Sequence, residues 1–149
     1  MKLPTQIFPL LFLACLHFSC ARSEDTREQT NAPDPKEMMI RIAEIEVDSA
    51  YLDDYIAILK EEAAASVLSE PGVICIYPMF QRETPSAVRL LEIYASQAAY
   101  ESHLQSPHFL HYKSATRHMV KSLNLIDMEA IDPLSMSQVF AKVHAPQVE

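Results

Sequence analysis

The sequence predicts an α+β domain whose elements follow the order β-α-β-β-α-β, a ferredoxin-like arrangement of an antiparallel sheet with helices on one face. Three observations predict it. Strand-length runs of β-branched and large apolar residues recur at residues 38–47, 73–81, 87–95 and 122–131. Between the first two runs, apolar residues return at helical spacing from Leu52 to Val67. Between the last two, a helical pattern is broken by Ser106-Pro107. That pair is suited to open a second helix, because the hydroxyl accepts an orphan amide bond and Pro fits the first helical position.

In the first strand, 38–47, Ile40 and Ile42 share one face while Ala43, Ile45 and Val47 share the other. Apolar residues on both faces suggest a sheet covered on both sides. Asp48 or Ser49 caps the following helix, with Asp53 and Asp54 near its positive end. Its apolar stripe is Leu52, Tyr55, Ile56, Leu59, Ala63, Ser66 and Val67, and Glu61 and Glu62 read as its solvated face. Glu70-Pro71-Gly72 ends the helix: Pro cannot continue it, and Gly suits a turn that needs positive φ. The second strand, 73–81, passes through a loop at 82–86 into the third, 87–95. There Val88, Leu90, Glu92 and Tyr94 share one face, and Arg89, Leu91 and Ile93 the other. A short helix and a longer one follow, separated at Ser106, before the fourth strand, 122–131. Asp132-Pro133 ends that strand, so the domain spans 38–132 and residues 133–149 form a Pro-bounded tail. Helices on one face leave the other bare, and its apolar residues require a cover.

Residues 1–20 read as a targeting segment: Lys2 precedes an apolar run, Ile7 to Phe18, too short to span a bilayer. The run closes on Ser19-Cys20 and turns polar at once, which resembles a bacterial lipoprotein signal in which Cys20 is lipidated; Leu13-Ala14-Cys15 is a competing site. Lipidation implies a lipid-anchored protein of the bacterial cell envelope, held outside the cytoplasm. Residues 21–37 are polar and Pro-containing and read as a flexible tether. Cys75 is then the single Cys of the folded part, within an apolar run, and reads as a buried small hydrophobe. The chain has 149 residues, enough for one domain, with 49% hydrophobic residues to fill a core. A net charge of −8 argues against nucleic acid or an anionic membrane as a charge-driven partner. With one Gly in the chain, a Gly-rich phosphate loop is excluded.

Several short pieces, taken in order, resemble the antibiotic biosynthesis monooxygenase family, most nearly its quinol-monooxygenase branch. They are Glu70-Pro71-Gly72, Tyr77-Pro78-Met79, Glu92-x-Tyr94, His103-Leu104 and Ser106-Pro107-His108-Phe109, and the resemblance runs from Met38 to Ile131. It implies a dimeric α+β barrel, with a second copy covering the open sheet face. It also implies a monooxygenase that needs no cofactor and oxidises a quinol-like or phenolic small molecule with O₂. Haem-degrading relatives carry a His where this chain has Lys113, so haem is not expected.

Two residues are the candidates for proton transfer. Glu92 stands mid-strand between Leu90 and Tyr94, where a carboxylate is costly unless it is paired or tuned by burial. The structural alternative is an ion pair. His108 opens the longer helix, and imidazole is the side chain suited to proton transfer near neutral pH. His103, Tyr94, Tyr112 and Tyr77 are candidate pocket walls, each with core packing as its plain alternative. No HExxH or CxxC spacing occurs, and no metal site is expected. The competing functional readings are a non-catalytic small-molecule-binding dimer and an isomerase-type member of the same family.

Overall fold

The computed structural model of the protein describes residues 33–135. The 1–20 leader with Cys15 and Cys20, most of the tether and the tail from residue 136 lie outside the described residues. The elements are β1 (Met39–Val47), a 3₁₀ turn (Ser49–Tyr51), α1 (Leu52–Ser69), β2 (Val73–Gln81), β3 (Thr84–Tyr94), α2 (Gln97–His103), α3 (Pro107–Thr116) and β4 (Val120–Met128). The strands form one antiparallel sheet in the order β2-β3-β1-β4, the ferredoxin-like topology that the sequence predicts.

Register fixes the two faces. Ala43, Ile45 and Val47 of β1 and Val88, Leu90 and Tyr94 of β3 point toward the helices and bury against Tyr55, Leu59 and Ala63 of α1. Val73 and Ile76 of β2 join them, as does Met119, which plugs the turn between α3 and β4. The opposite face carries Ile42, Leu91 and Tyr77 side by side across three strands. On it, Tyr77, Met79 and Met128 are exposed large apolar side chains. Arg89 on that face pairs with Glu44 at 3.4 Å and Glu46 at 3.3 Å.

Five local expectations are corrected. Glu62 does not belong to the solvated face: it is 4% exposed and turned inward, while Glu61 is exposed. Helical periodicity explains this, since 55, 59, 62 and 66 fall on one stripe. Val67, expected on the apolar stripe, is 44% exposed. Gly72 has no positive φ. Its lack of a side chain serves close approach instead, because a Cβ there would lie 2.6 Å from the Cβ of Ala99 on α2. The loop between β2 and β3 is only Arg82-Glu83, because Gln81 pairs with Thr84. Pro85 is tolerated inside β3 because the pairing with β1 stops at Ala87, so no neighbour on that side misses its N–H. Finally, α3 stops at Thr116 and β4 begins at Val120 rather than Ser122. The Thr116 hydroxyl donates back to the Tyr112 carbonyl at 2.8 Å, and the Met119 N–H donates to Thr116 O at 2.8 Å, closing the helix into a tight turn.

The two sheet edges differ. Pro78 lies in the edge strand β2, where an absent N–H does no harm. The other edge, β4, is exposed along most of its length. Leu123 and Leu125 lie on its helix-facing side, in register with Ile45 and Ala43, yet the helices do not cover them. Arg41 ties this edge inward. It donates to Asp127 Oδ1 at 2.7 Å, and its guanidinium lies 4.6 Å from the centre of the Tyr100 ring.

Candidate functional site

Where α1 ends and α3 begins, the chain assembles a cluster of carboxylates and imidazoles. Pro71 forces Glu70 out of helical geometry, leaving that residue extended at the helix C-cap. Ser96 caps α2 by accepting from the Ala99 N–H, and Ser106 caps α3 by accepting from the Phe109 N–H with Pro107 just inside. The break between these helices is short, so His103 at the end of α2 and His108 in the first turn of α3 converge on one point.

That point is Glu70 Oε1. It lies 2.9 Å from His103 Nδ1 and 2.5 Å from His108 Nε2. His103 is 2% exposed, whereas the His108 side chain is 21% exposed. On the far side of His103, Nε2 stands 3.7 Å from Glu62 Oε1, beyond hydrogen-bonding reach but close enough for its charge to be felt. Glu62 is held by the Ser66 hydroxyl, which donates to Oε1 at 2.9 Å. The Tyr94 hydroxyl donates to Glu92 Oε2 at 3.3 Å, and its ring centre is 5.4 Å from that of His103. The contacts therefore run from Glu92 to Tyr94 by a hydrogen bond, from Tyr94 to His103 by ring packing, and from His103 through Glu70 to His108 by hydrogen bonds.

Environment divides the three acids. Burial raises the Glu62 and Glu92 carboxyls above the ordinary carboxylate range, against the pull of Ser66, His103 and His108 on the first and of Tyr94, His103 and Arg41 on the second. For Glu70 burial also pushes upward, but the hydrogen bonds and charges of both histidines outweigh it and hold the carboxyl below its usual value. Burial likewise pushes Tyr112 up to about 12, its hydroxyl 2.7 Å from that of Tyr55. Glu70 is thus the ionised partner of the imidazoles, and Glu92 the acid whose carboxyl is held above the usual range by desolvation.

His108 and Glu70 open into a cleft of about 560 Å³, whose other walls include Gly72, Ala99, Ser102 and Ser106. A second hollow of about 460 Å³, between α1 and β2, is lined by Leu59, Ala63, Ile76, Phe80 and Val88 and lies away from the acids and imidazoles. Neither is lined by Glu92. The structure therefore brings His103, His108, Glu92 and Tyr94 into one contact chain and sets Tyr112 beside Tyr55. Tyr77 stands apart, 61% exposed on the opposite sheet face.

Sequence reasoning missed Glu70 and Glu62 as members of the cluster. Signals for both existed. A Glu at the negative end of a helix is electrostatically unfavourable unless a cation compensates it. Glu62 shares its stripe with Tyr55, Leu59 and Ser66. As possible metal donors, Glu70, His103 and His108 each offer one atom, all within 4.8 Å of one another.

Comparison with known proteins adds the following. A family model described as antibiotic biosynthesis monooxygenase matches residues 38–115. A crystal structure from Bacteroides thetaiotaomicron VPI-5482, provisionally described as an antibiotic biosynthesis monooxygenase, is 43% identical with a TM-score of 0.67, covering 67% of this chain and 95% of that one. A provisionally described monooxygenase from Lactobacillus acidophilus NCFM is 28% identical with a TM-score of 0.60, covering 61% of this chain and 43% of that one. A third structure, from Caulobacter crescentus CB15, is 20% identical with a TM-score of 0.61, covering 64% and 92%, and shows likeness of fold. A search of curated proteins found no significant match.

Proposed function

The chain belongs to the antibiotic biosynthesis monooxygenase family, and from that premise we propose that it is a cofactor-independent monooxygenase acting on a quinol-like or phenolic small molecule with O₂. The observation that carries this reading is the His108–Glu70 contact at the wall of an open cleft. In that arrangement His108 donates its Nε2 proton to Glu70, and Nδ1 is left as the proton acceptor. Nδ1 makes no hydrogen bond among the described residues. Carboxylate support of this kind fixes the tautomer of the imidazole and stabilises the cation formed when it takes a proton.

The rest follows from the substrate's own chemistry. A phenol bound in the cleft gives its proton to His108, and the resulting phenolate is electron-rich enough to reduce O₂. One oxygen atom ends on the ring of the product quinone and the other leaves as water, with the substrate supplying all four electrons. His103 and Glu62 hold Glu70 and His108 in place from behind. Glu92, hydrogen-bonded by Tyr94, lines neither hollow and supports the packing of Tyr94 on His103 rather than accepting a proton itself.

A second copy of the chain is the proposed cover for the open sheet face, where Tyr77, Met79 and Met128 are exposed. Met79→Glu is then expected to yield monomers in sedimentation velocity. Lipidation at Cys20, placing the domain outside the cytoplasm at the cell envelope, is tested by fatty-acid labelling of wild type against Cys20→Ala.

Oxygen uptake with a panel of hydroquinones and phenols tests the activity. Wild type is expected to consume O₂ with at least one member, and His108→Ala to lose about 10²–10⁴-fold in kcat, the usual worth of a positioned general base. Saturable binding with no oxygen uptake across the panel refutes the oxygenase and leaves a binding module.

A further inference from the structure

The cluster around Glu70 has the makings of a second kind of site. Two imidazole nitrogens and one carboxylate oxygen converge from three separate positions: the end of α1, the end of α2 and the start of α3. We propose that Glu70 Oε1, His103 Nδ1 and His108 Nε2 bind one divalent first-row transition ion, with zinc the best match to two nitrogens, one oxygen and open positions on the cleft side.

The spacing suits it. Zinc holds imidazole nitrogen and carboxylate oxygen at about 2.0–2.2 Å, so two ligands on one ion stand about 3.0–3.5 Å apart. Glu70 Oε1 now stands 2.9 and 2.5 Å from the two nitrogens. Side-chain shifts of under about 1 Å open room for the ion, and His108, the most exposed of the three, has freedom to make them. The surroundings suit it too. A metal-binding histidine ordinarily presents its other ring N–H to a carboxylate, which fixes the tautomer and strengthens the ligand. His103 Nε2 faces Glu62 Oε1 at 3.7 Å, and that oxygen is anchored by Ser66. A buried acid behind a buried imidazole explains why α1 turns Glu62 inward at a position where a leucine would pack at lower cost. Entry is open as well, since Glu70 and His108 line the cleft of about 560 Å³.

Occupancy would reverse the roles of the His108 nitrogens. The ion takes the Nε2 lone pair and Nδ1 then carries the proton, so His108 no longer accepts one. Zinc is therefore an inhibitor of the oxygenase, a consequence that rests on the function proposed above; the binding does not.

Titration of the full-length, chelator-treated protein with Co²⁺ alone, followed by visible ligand-field absorption and by calorimetry, tests the site without any substrate. One ion per chain is expected, displaced by Zn²⁺, with affinity reduced at least tenfold in His108→Ala and in Glu70→Gln. His111→Ala, on the exposed side of α3, keeps wild-type affinity. Because a variant of this cluster can lose structure, NMR of wild type gives a second readout: Zn²⁺ shifts the ring resonances of His103 and His108 and leaves those of His111 and His118 in place. No stoichiometric binding, binding that survives both substitutions, or shifts confined to other histidines overturns the proposal. Binding with no effect on oxygen uptake leaves the metal site standing and refutes His108 as the proton acceptor; binding with no uptake to inhibit leaves the site standing and refutes the oxygenase reading.

Discussion

Replacing Glu70 with Ala removes one oxygen atom on which two imidazoles depend. Its contacts to His103 Nδ1 at 2.9 Å and His108 Nε2 at 2.5 Å are charge-assisted, a class worth about 1.5–3 kcal/mol each. They share one acceptor, so their contributions do not simply add. Against that, His103 is 2% exposed and its displaced Nδ1 has no water to turn to. The expected loss for Glu70→Ala is about 3 kcal/mol at pH 7, a drop of roughly 10–20 °C in Tm for a domain of this size. Glu70→Gln keeps an acceptor oxygen and loses only the charge, so its expected cost is about 1 kcal/mol. The pH dependence has a definite sign. The Glu70 carboxyl is held below its usual value of 4.5 despite the opposing effect of burial. A depressed carboxylate contributes its full stability above the unfolded value and loses it as pH falls through the folded one. Urea denaturation in metal-free buffer from pH 7 to pH 3 should therefore show the gap between wild type and Glu70→Gln constant at first, then closing below about pH 4.5. A Glu70→Ala protein within 0.5 kcal/mol of wild type at pH 7, or a gap that widens on acidification, would refute the assignment of Glu70 as the ionised centre of the cluster.

Three further outcomes are expected. Gly72→Ala places a Cβ 2.6 Å from that of Ala99 and should cost about 1–3 kcal/mol by overpacking. Adding Ala99→Gly should recover part of that loss, although alone it costs about 1 kcal/mol of helix propensity, and a double-mutant cycle by chemical denaturation reads the coupling. Glu62 carries a carboxyl raised by burial, so wild-type stability falls as pH rises from about 4.5 through its folded value. Glu62→Gln should then be more stable than wild type at pH 7 and lose that advantage below pH 4; thermal melts at the two pH values decide. Ser106→Ala removes the cap on α3 and should cost about 1 kcal/mol. It should lower kcat on the best panel substrate more than Ser96→Ala does, because α3 carries His108.

The strand and helix pattern was legible because alternation and helical spacing report burial directly. Residues 73–81 were found to the residue, and the two faces of β3 were assigned correctly from the sequence. The errors fall where a tertiary contact decides. Gly72 answers to Ala99, 27 positions away, and no local rule shows that contact. Pro85 is a loop signal by itself, yet it sits in a strand because β1 ends short of it. His103, His108 and Glu92 are all candidates from the sequence, but the acid that bridges the two imidazoles is Glu70, which the sequence marks as a helix stop and not as a site residue. Glu92 is half-buried and perturbed, as its mid-strand position implies, but it reaches His108 only through Tyr94, His103 and Glu70. Charge at a helix end and phase on a helical stripe were the usable clues, and both concern pairing partners distant in the chain.

Pro78 on one rim of the sheet and its absence from the other make the sheet directional. A foreign strand that tries to zip onto β2 meets a position with no amide hydrogen to offer. Along β4 it finds an unbroken row of peptide groups, with Lys121 and Asp127 as the only charged gatekeepers within the strand. Among the described residues β4, rather than β2, is therefore the edge that offers an extended strand a full set of backbone partners.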